Sequence, residues 1–370
     1  MKILLTAKQR GSTNVLAPVA TELSQRGHQL TLYATGNENE AAGFNGLQYE
    51  KIDPSADQYS SLVQGYDAVI VGMSGYNTPD GHFLRAAHAA KIPTVAAQDQ
   101  NSLYEQRLGN NPTELPTLLA VMGEDCIETV RKELGEEAAK RCRVIGWAAF
   151  DNYAKLREDF TEQKREELLH KVSLNPEQLL YFHATQNIHP DTAYMKRVER
   201  SAEEKMKGFL YECRVTEATF AAASDLGVQL VVKPHPGEEY LQNFTQELAD
   251  KHGFVYLLAK ACNTQELMLA SYSVTAGRST CLTEATLLDK NAGAILPDAM
   301  GKEWSSALPA VALNAIPVTY EWEGVYDILE QVTSLSKEMA RELAADRKRF
   351  SVDGKASKRL ADLIEEMGGN

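Results

Sequence analysis

Short apolar runs alternate with amphipathic helical stretches along the whole of this chain, and that rhythm leaves few folds open to it. In the first part the runs are Ile3-Leu4-Leu5-Thr6, Gln29-Leu30-Thr31-Leu32-Tyr33, Ala68-Val69-Ile70-Val71, Thr94-Val95-Ala96-Ala97, Leu118-Leu119-Ala120-Val121-Met122 and Arg143-Val144-Ile145-Gly146-Trp147. In the second they are Leu179-Leu180-Tyr181-Phe182, Val228-Gln229-Leu230-Val231-Val232, Phe254-Val255-Tyr256-Leu257-Leu258, Tyr272-Ser273-Val274 and Ala292-Gly293-Ala294-Ile295-Leu296. A strand that is apolar at consecutive positions is covered on both faces, as in a parallel sheet flanked by helices. Helical patterning falls between the runs, over Val15–Gln25, Gly81–Ala90, Glu124–Leu134 and Thr192–Asp225. The expected fold class is α/β: two facing doubly wound, Rossmann-like domains with an interdomain cleft.

The chain has 370 residues, enough for two domains of about 150 to 200 residues each. The first is expected over residues 1–150 and the second over 176–335, with a charged connection at 151–175 and a helical tail at 336–370. A net charge of −13 argues against nucleic acid as the main partner, since phosphate backbones are held by Lys and Arg. There is no apolar run of about 18 residues, so at most peripheral membrane contact is expected. The five cysteines are scattered with no CxxC pair, which points to a reducing cytoplasm. No ligand spacing for zinc occurs among the histidines, and no Asp-x-Asp pair stands ready for a metal-bound diphosphate, so neither metal nor cofactor is expected.

Two polar clusters carry the chemistry. Lys233-Pro234-His235-Pro236-Gly237 follows one apolar run, and Thr275-Ala276-Gly277-Arg278-Ser279-Thr280 follows another, with Glu284 just beyond. Both therefore belong at the carboxyl edge of one parallel sheet, where α/β folds bind ligands. A helix opening at Arg278 would aim unpaired N–H groups, two hydroxyls and a guanidinium at one point, an arrangement suited to phosphate or diphosphate. Glu284, one turn deeper than Thr280, is placed to accept sugar hydroxyls. The same residues also read as an ordinary capped helix start. Thr185 and Gln186, after the first strand of the second domain, are expected to hold phosphate oxygens.

Lys233, His235, Pro236, Gly277, Ser279, Thr280, Glu284 and Ala285 together resemble the nucleotide-binding half of GT-B glycosyltransferases. The likeness extends to their relatives, the CDP-glycerol glycerophosphotransferases and the non-hydrolysing UDP-N-acetylglucosamine 2-epimerases. It implies a nucleotide-activated sugar or polyol as donor, Lys233 and His235 on the donor side, and a last helix that returns to the first domain. Gly11-Ser12-Thr13-Asn14 is similar to the acceptor-side loop of many GT-B enzymes, but the histidine base that many of them carry there is missing. Asp99, in Gln98-Asp99-Gln100-Asn101 directly after an apolar run, is the substitute candidate for a base or acceptor-orienting group. The expected function is transfer of a glycosyl or glycerophosphate-type group to an acceptor hydroxyl, as in cell-surface or polysaccharide biosynthesis, with Asp99 and His235 as the catalytic pair.

Two alternatives remain. Epimerases resembling this chain carry Gly-Asp-Thr and Glu-Ala-Gly where Gly72-Met73-Ser74 and Gln98-Asp99-Gln100 stand here, which weakens the isomerase reading. A nucleotide-sugar-binding protein without turnover is the other.

Overall fold

The computed structural model describes residues 1–36, 41–44, 46–55, 57–99, 103–191, 193–196, 200–235, 238, 244–257, 261–305, 308–312, 315–334 and 352–368. The chain divides into two compact units, residues 1–154 with 350–370, and residues 155–349.

The N-terminal unit is built on strands β1 (Lys2–Ala7), β2 (Gln29–Ala34), β3 (Glu50–Lys51), β4 (Ala68–Val71), β5 (Thr94–Ala97), β6 (Leu118–Val121) and β7 (Cys142–Val144). They form one parallel sheet in the order β3-β2-β1-β4-β5-β6-β7. Side chains alternate between two buried faces. Ile3, Leu5, Ile70 and Val95 join one apolar cluster, while Leu4, Val69, Val71 and Ala96 join the other. The first cluster is closed by the helix Arg10–Gln25 and by Ala356, Leu360, Ala361 and Ile364 of the helix Ala356–Gly368. That last helix is fixed by charge as well as packing. Arg26 binds Asp362 at 2.7 Å and Glu365 at 2.8 Å, and the Asp151 carboxylate accepts from the Ala356 N–H at 3.0 Å and the Ser357 N–H at 2.7 Å.

The C-terminal unit carries β8 (Leu180–Ala184), β9 (Gln229–Lys233), β10 (Val255–Tyr256), β11 (Ser273–Ala276), β12 (Asn291–Ile295) and β13 (Val318–Thr319). These are again all parallel, in the order β10-β9-β8-β11-β12-β13. The helix Ala202–Asp225 crosses from β8 to β9 and packs Tyr211, Val215 and Phe220 against Tyr181, Leu230 and Val232. A reciprocal Ser201–Glu204 capping box starts it. In each sheet the first strand lies inside, the chain winds outward to one edge, and the fourth strand returns to the other side of the first. The order thus breaks between β1 and β4 and between β8 and β11, and loops diverging there leave a crevice at the carboxyl edge of each sheet.

Several local expectations are corrected. Gly11–Asn14 are the opening turns of the Arg10–Gln25 helix rather than a loop: Ser12 and Thr13 are fully buried, and the Thr13 N–H donates to Gln9 O at 3.0 Å. The helix after β11 begins at Cys281, three residues later than expected, because the Ser279 N–H first turns back to Gly277 O at 3.0 Å. His183 is a strand residue of β8 and not part of a loop. The stretch expected as one helix over Thr192–Asp225 contains two described helices, Ala193–Lys196 and Ala202–Asp225. Pro236, Gly237, Gln100, Asn101, Thr192 and the first part of the tail lie outside the described residues.

Leu360 is fully buried where the last helix meets the first. Leu360→Ala is expected to destabilise the N-terminal unit by about 2–5 kcal/mol. Urea unfolding followed by Trp147 fluorescence, with Trp304 and Trp322 replaced by Phe, measures it; a shift below about 0.5 kcal/mol would mean the helix is not part of that core.

Candidate functional site

At the break in the C-terminal sheet, the loops after β8 and β9 are tied together by one carboxylate. Glu238 accepts from the Thr185 hydroxyl at 2.6 Å, the Asn187 N–H at 3.1 Å and the His235 N–H at 3.2 Å. Burial pushes the Glu238 carboxyl up, and these donors act in the opposite direction. Thr185 is therefore 3% exposed with its proton committed to Glu238, while its neighbour Gln186 is half-buried. Beside them, His235 is pushed down to about 4 by burial and by the Arg278 charge, so its imidazole is neutral at pH 7. Such a ring donates at one nitrogen and accepts at the other.

Arg278 is the cation of this crevice. Its Nε stands 3.9 Å from the carboxylate of Glu212, a residue 2% exposed on the Ala202–Asp225 helix. Gly277 is what permits that approach, since a Cβ there would lie 2.7 Å from Glu212 Oε2. Ser279 is buried and its hydroxyl accepts from the Cys281 N–H at 3.3 Å; Thr280 is exposed. The second cation, Lys233, ends β9 and donates to Thr264 Oγ1 at 2.6 Å. Its charge also reaches Cys281, whose thiol burial pushes up to about 12. Glu284 accepts from Gln265 Nε2 at 2.9 Å, which places a carboxylate and an amide together on the same side as Lys233.

The N-terminal sheet holds a second polar cluster at its own break. Asp99 is ion-paired with Arg107 and accepts from the Ser12 hydroxyl at 3.1 Å, and its side chain is 6% exposed. A Cβ on Gly11 would lie 2.7 Å from Asp99 Oδ2, so Gly11, Ser12 and Asp99 occupy one tight corner. Thr13 is turned away, its hydroxyl bonded to Arg10 O at 3.0 Å, and Asn14 is exposed. Asp80 approaches from the other side: its Oδ2 accepts from the Ser74 N–H at 3.2 Å and lies against the Gly72 backbone that also borders Ser12. Burial pushes Asp80 up to about 6, against the pull of its Ser74 and Lys8 donors, and the Asp99 charge adds to the rise.

No protein-family model matches the sequence, and no curated protein does. Solved structures do. The UDP-GlcNAc 2-epimerase of Neisseria meningitidis, with UDP-GlcNAc bound, superposes with a TM-score of 0.70 at 16% identity over 99% of this chain and 100% of its own. The fold is GT-B. S. aureus MnaA in complex with UDP gives a TM-score of 0.67 at 15% identity, covering 99% of this chain and 96% of that one. The wall teichoic acid polymerase TagF gives 0.58 at 12% identity, covering 100% and 89%. Among the described residues of this GT-B chain no His, Cys, Asp and Glu cluster could hold a metal ion, and no helix is long and apolar enough to cross a membrane.

Sequence reasoning missed Glu212, Glu238 and Arg107. A signal existed for Glu212: it shares a helical face with Thr216, Thr219 and Ala223, all buried, so a carboxylate there stands among inward positions. Glu238 follows the Lys-Pro-His-Pro-Gly cluster directly. The partnership of Arg107 with Asp99 has no comparable sequence signature.

The raised Asp80 carboxyl has a stability consequence. A carboxyl at about 6 in the fold, against 3.8 unfolded, binds its proton more tightly in the native state, so stability is lost as pH rises through that interval. Asp80→Asn removes this loss. The stability difference between the variant and the parent protein should move in the variant's favour by up to about 3 kcal/mol between pH 4 and pH 7.5. Urea titrations at both pH values measure it, and a pH-independent difference would show that Asp80 ionises without cost.

Proposed function

We propose that this chain binds a nucleoside diphosphate-linked sugar or polyol at the carboxyl edge of its C-terminal sheet and transfers the glycosyl or glycerophosphate-type group to an acceptor hydroxyl. The observation that carries the reading is the meeting of Arg278 and neutral His235 at the β8/β11 break, with Lys233 and Ser279 on the same edge. A guanidinium and an ammonium neutralise the leaving group without a metal, a nucleoside diphosphate in glycosyl transfer or a nucleoside monophosphate in glycerophosphate transfer, the guanidinium in a forked geometry and the ammonium as a point charge. His235 supplies a hydrogen bond to phosphate or sugar, and Glu284 with Gln265 supplies acceptors and donors for hydroxyls. Two of the structural neighbours hold UDP and UDP-GlcNAc, which supports a sugar nucleotide as the ligand class.

In the N-terminal unit Asp99 is assigned as the base or acceptor-orienting group. Arg107 and Ser12 fix its carboxylate in one orientation, the condition for efficient proton transfer. A second reading, isomerisation of the sugar by proton removal and return, is favoured by the pairing of Asp80 with Asp99 around Ser12.

Incubation with UDP-GlcNAc or CDP-glycerol in deuterated water separates the two. Transfer predicts no exchange of carbon-bound hydrogen and donor consumption only when an acceptor is supplied. Asp99→Asn should then reduce turnover by about 100-fold or more with donor affinity within about threefold of the parent. Acceptor-independent exchange that vanishes in Asp99→Asn would replace the transferase by the isomerase. On the donor side, Lys233→Ala should weaken UDP binding by about 10-fold or more in calorimetry, the cost of one charge-assisted contact. Unchanged affinity would remove Lys233 from the site.

A further inference from the structure

A carboxylate on a buried helix face is costly unless something answers its charge. Glu212 is such a group. Its Oε1 has no hydrogen-bond partner among the described residues, and its Oε2 is pressed against the Gly277 backbone. The Arg278 guanidinium at 3.9 Å is close enough for Coulomb attraction and too far for a hydrogen bond. The Arg278 main-chain N–H also faces the carboxylate. The Arg278 side chain is 29% exposed while that of Glu212 is 3% exposed, so the cation reaches outward and the anion cannot follow it.

We infer that Glu212 is a positioning residue that holds Arg278 at the crevice in the unliganded protein and takes up a proton from solvent when a diphosphate draws the guanidinium away. The inference rests on the diphosphate reading of Arg278. The groups facing Glu212 set the sign. Arg278 from the loop after β11 is the one that favours its ionised form by charge; Glu238 from the loop after β9 opposes it, and Tyr211 and Cys213 flank it on its own helix. His235 is neutral and contributes no compensating charge. Once Arg278 engages a phosphate, Glu212 keeps its burial and its like-charged neighbour but loses its cation, and the incoming ligand adds negative charge nearby. Protonating Oε1 gives that atom a hydrogen to donate and cancels the repulsion. The balance is close in the unliganded protein, where burial, opposed by Arg278, already pushes Glu212 up to about 7.

Binding should therefore be proton-coupled, with affinity falling as pH rises above neutrality. UDP-GlcNAc and CDP-glycerol suit the test because their diphosphate diesters do not titrate near pH 7. Calorimetry at pH 7.5 in two buffers of different ionisation enthalpy should show uptake of a substantial fraction of one proton per ligand by the parent protein, and none by Glu212→Gln. The ratio of parent to Glu212→Gln dissociation constants should rise between pH 6.5 and pH 8.5, by up to about tenfold per unit. The parent measurement stands alone should the variant fold poorly. Binding without proton uptake, or uptake that persists in Glu212→Gln, overturns the role of Glu212 and leaves the diphosphate site intact. No binding of either ligand at any pH overturns the diphosphate reading itself, and this inference with it.

Discussion

Burial of both faces of each sheet is the constraint on which the rest of the molecule depends. A strand such as β1 sends Ile3 and Leu5 to one cluster and Leu4 to the other, so neither face can be left to water. Helices must then cover both sides, and the only way for the chain to supply them is to cross over between parallel strands. Starting from the middle of the sheet, such winding has to reverse direction once. The reversal opens the crevice, which is therefore a product of hydrophobic covering and exists before any polar residue is placed in it.

What lines each of the two crevices is closely matched charge. In the C-terminal unit Arg278 faces Glu212, and Glu238 gathers donors from two loops. In the N-terminal unit Arg107 faces Asp99, with Asp80 held near it by Ser74. In a low-dielectric setting such partners are rigid and preorganised, which is the property that electrostatic catalysis requires. It also makes the cluster sensitive: moving one charge changes the protonation preference of the next.

The sequence was legible where one local signal sufficed. Central strands β4 and β5 fall within the apolar runs because both faces are buried, and Glu124–Leu134 reads as a helix from its acidic start, basic end and the Gly135 that stops it. The two-residue edge strands β3 and β13 left no such trace, β3 because Glu50 and Lys51 are both exposed, whereas the equally short edge strand β10 lies in an apolar run. The Arg10 start of the first helix was hidden by Gly11, which with Ser12, Thr13 and Asn14 reads as a loop; tertiary burial of Ser12 and Thr13 overrides it. Lys233, His235 and Arg278 were identifiable as a polar edge from their place after strands, whereas their pairings, the His235 N–H with Glu238 of its own loop and Arg278 with Glu212 of the Ala202–Asp225 helix, are set in three dimensions.

The closing of the last helix onto the first has a consequence for how the protein is made. Arg26 meets partners 336 and 339 residues further along, so the N-terminal core lacks one wall until Ala356, Leu360, Ala361 and Ile364 have left the ribosome. The C-terminal unit is one uninterrupted segment and can complete itself earlier, while β1 and its neighbours, although synthesised first, wait with an apolar flank exposed. The unit begun first is thereby the one whose residues are complete last. A chaperone that shields this protein during translation would be expected to do so over the flank that Leu360 and Ile364 finally cover.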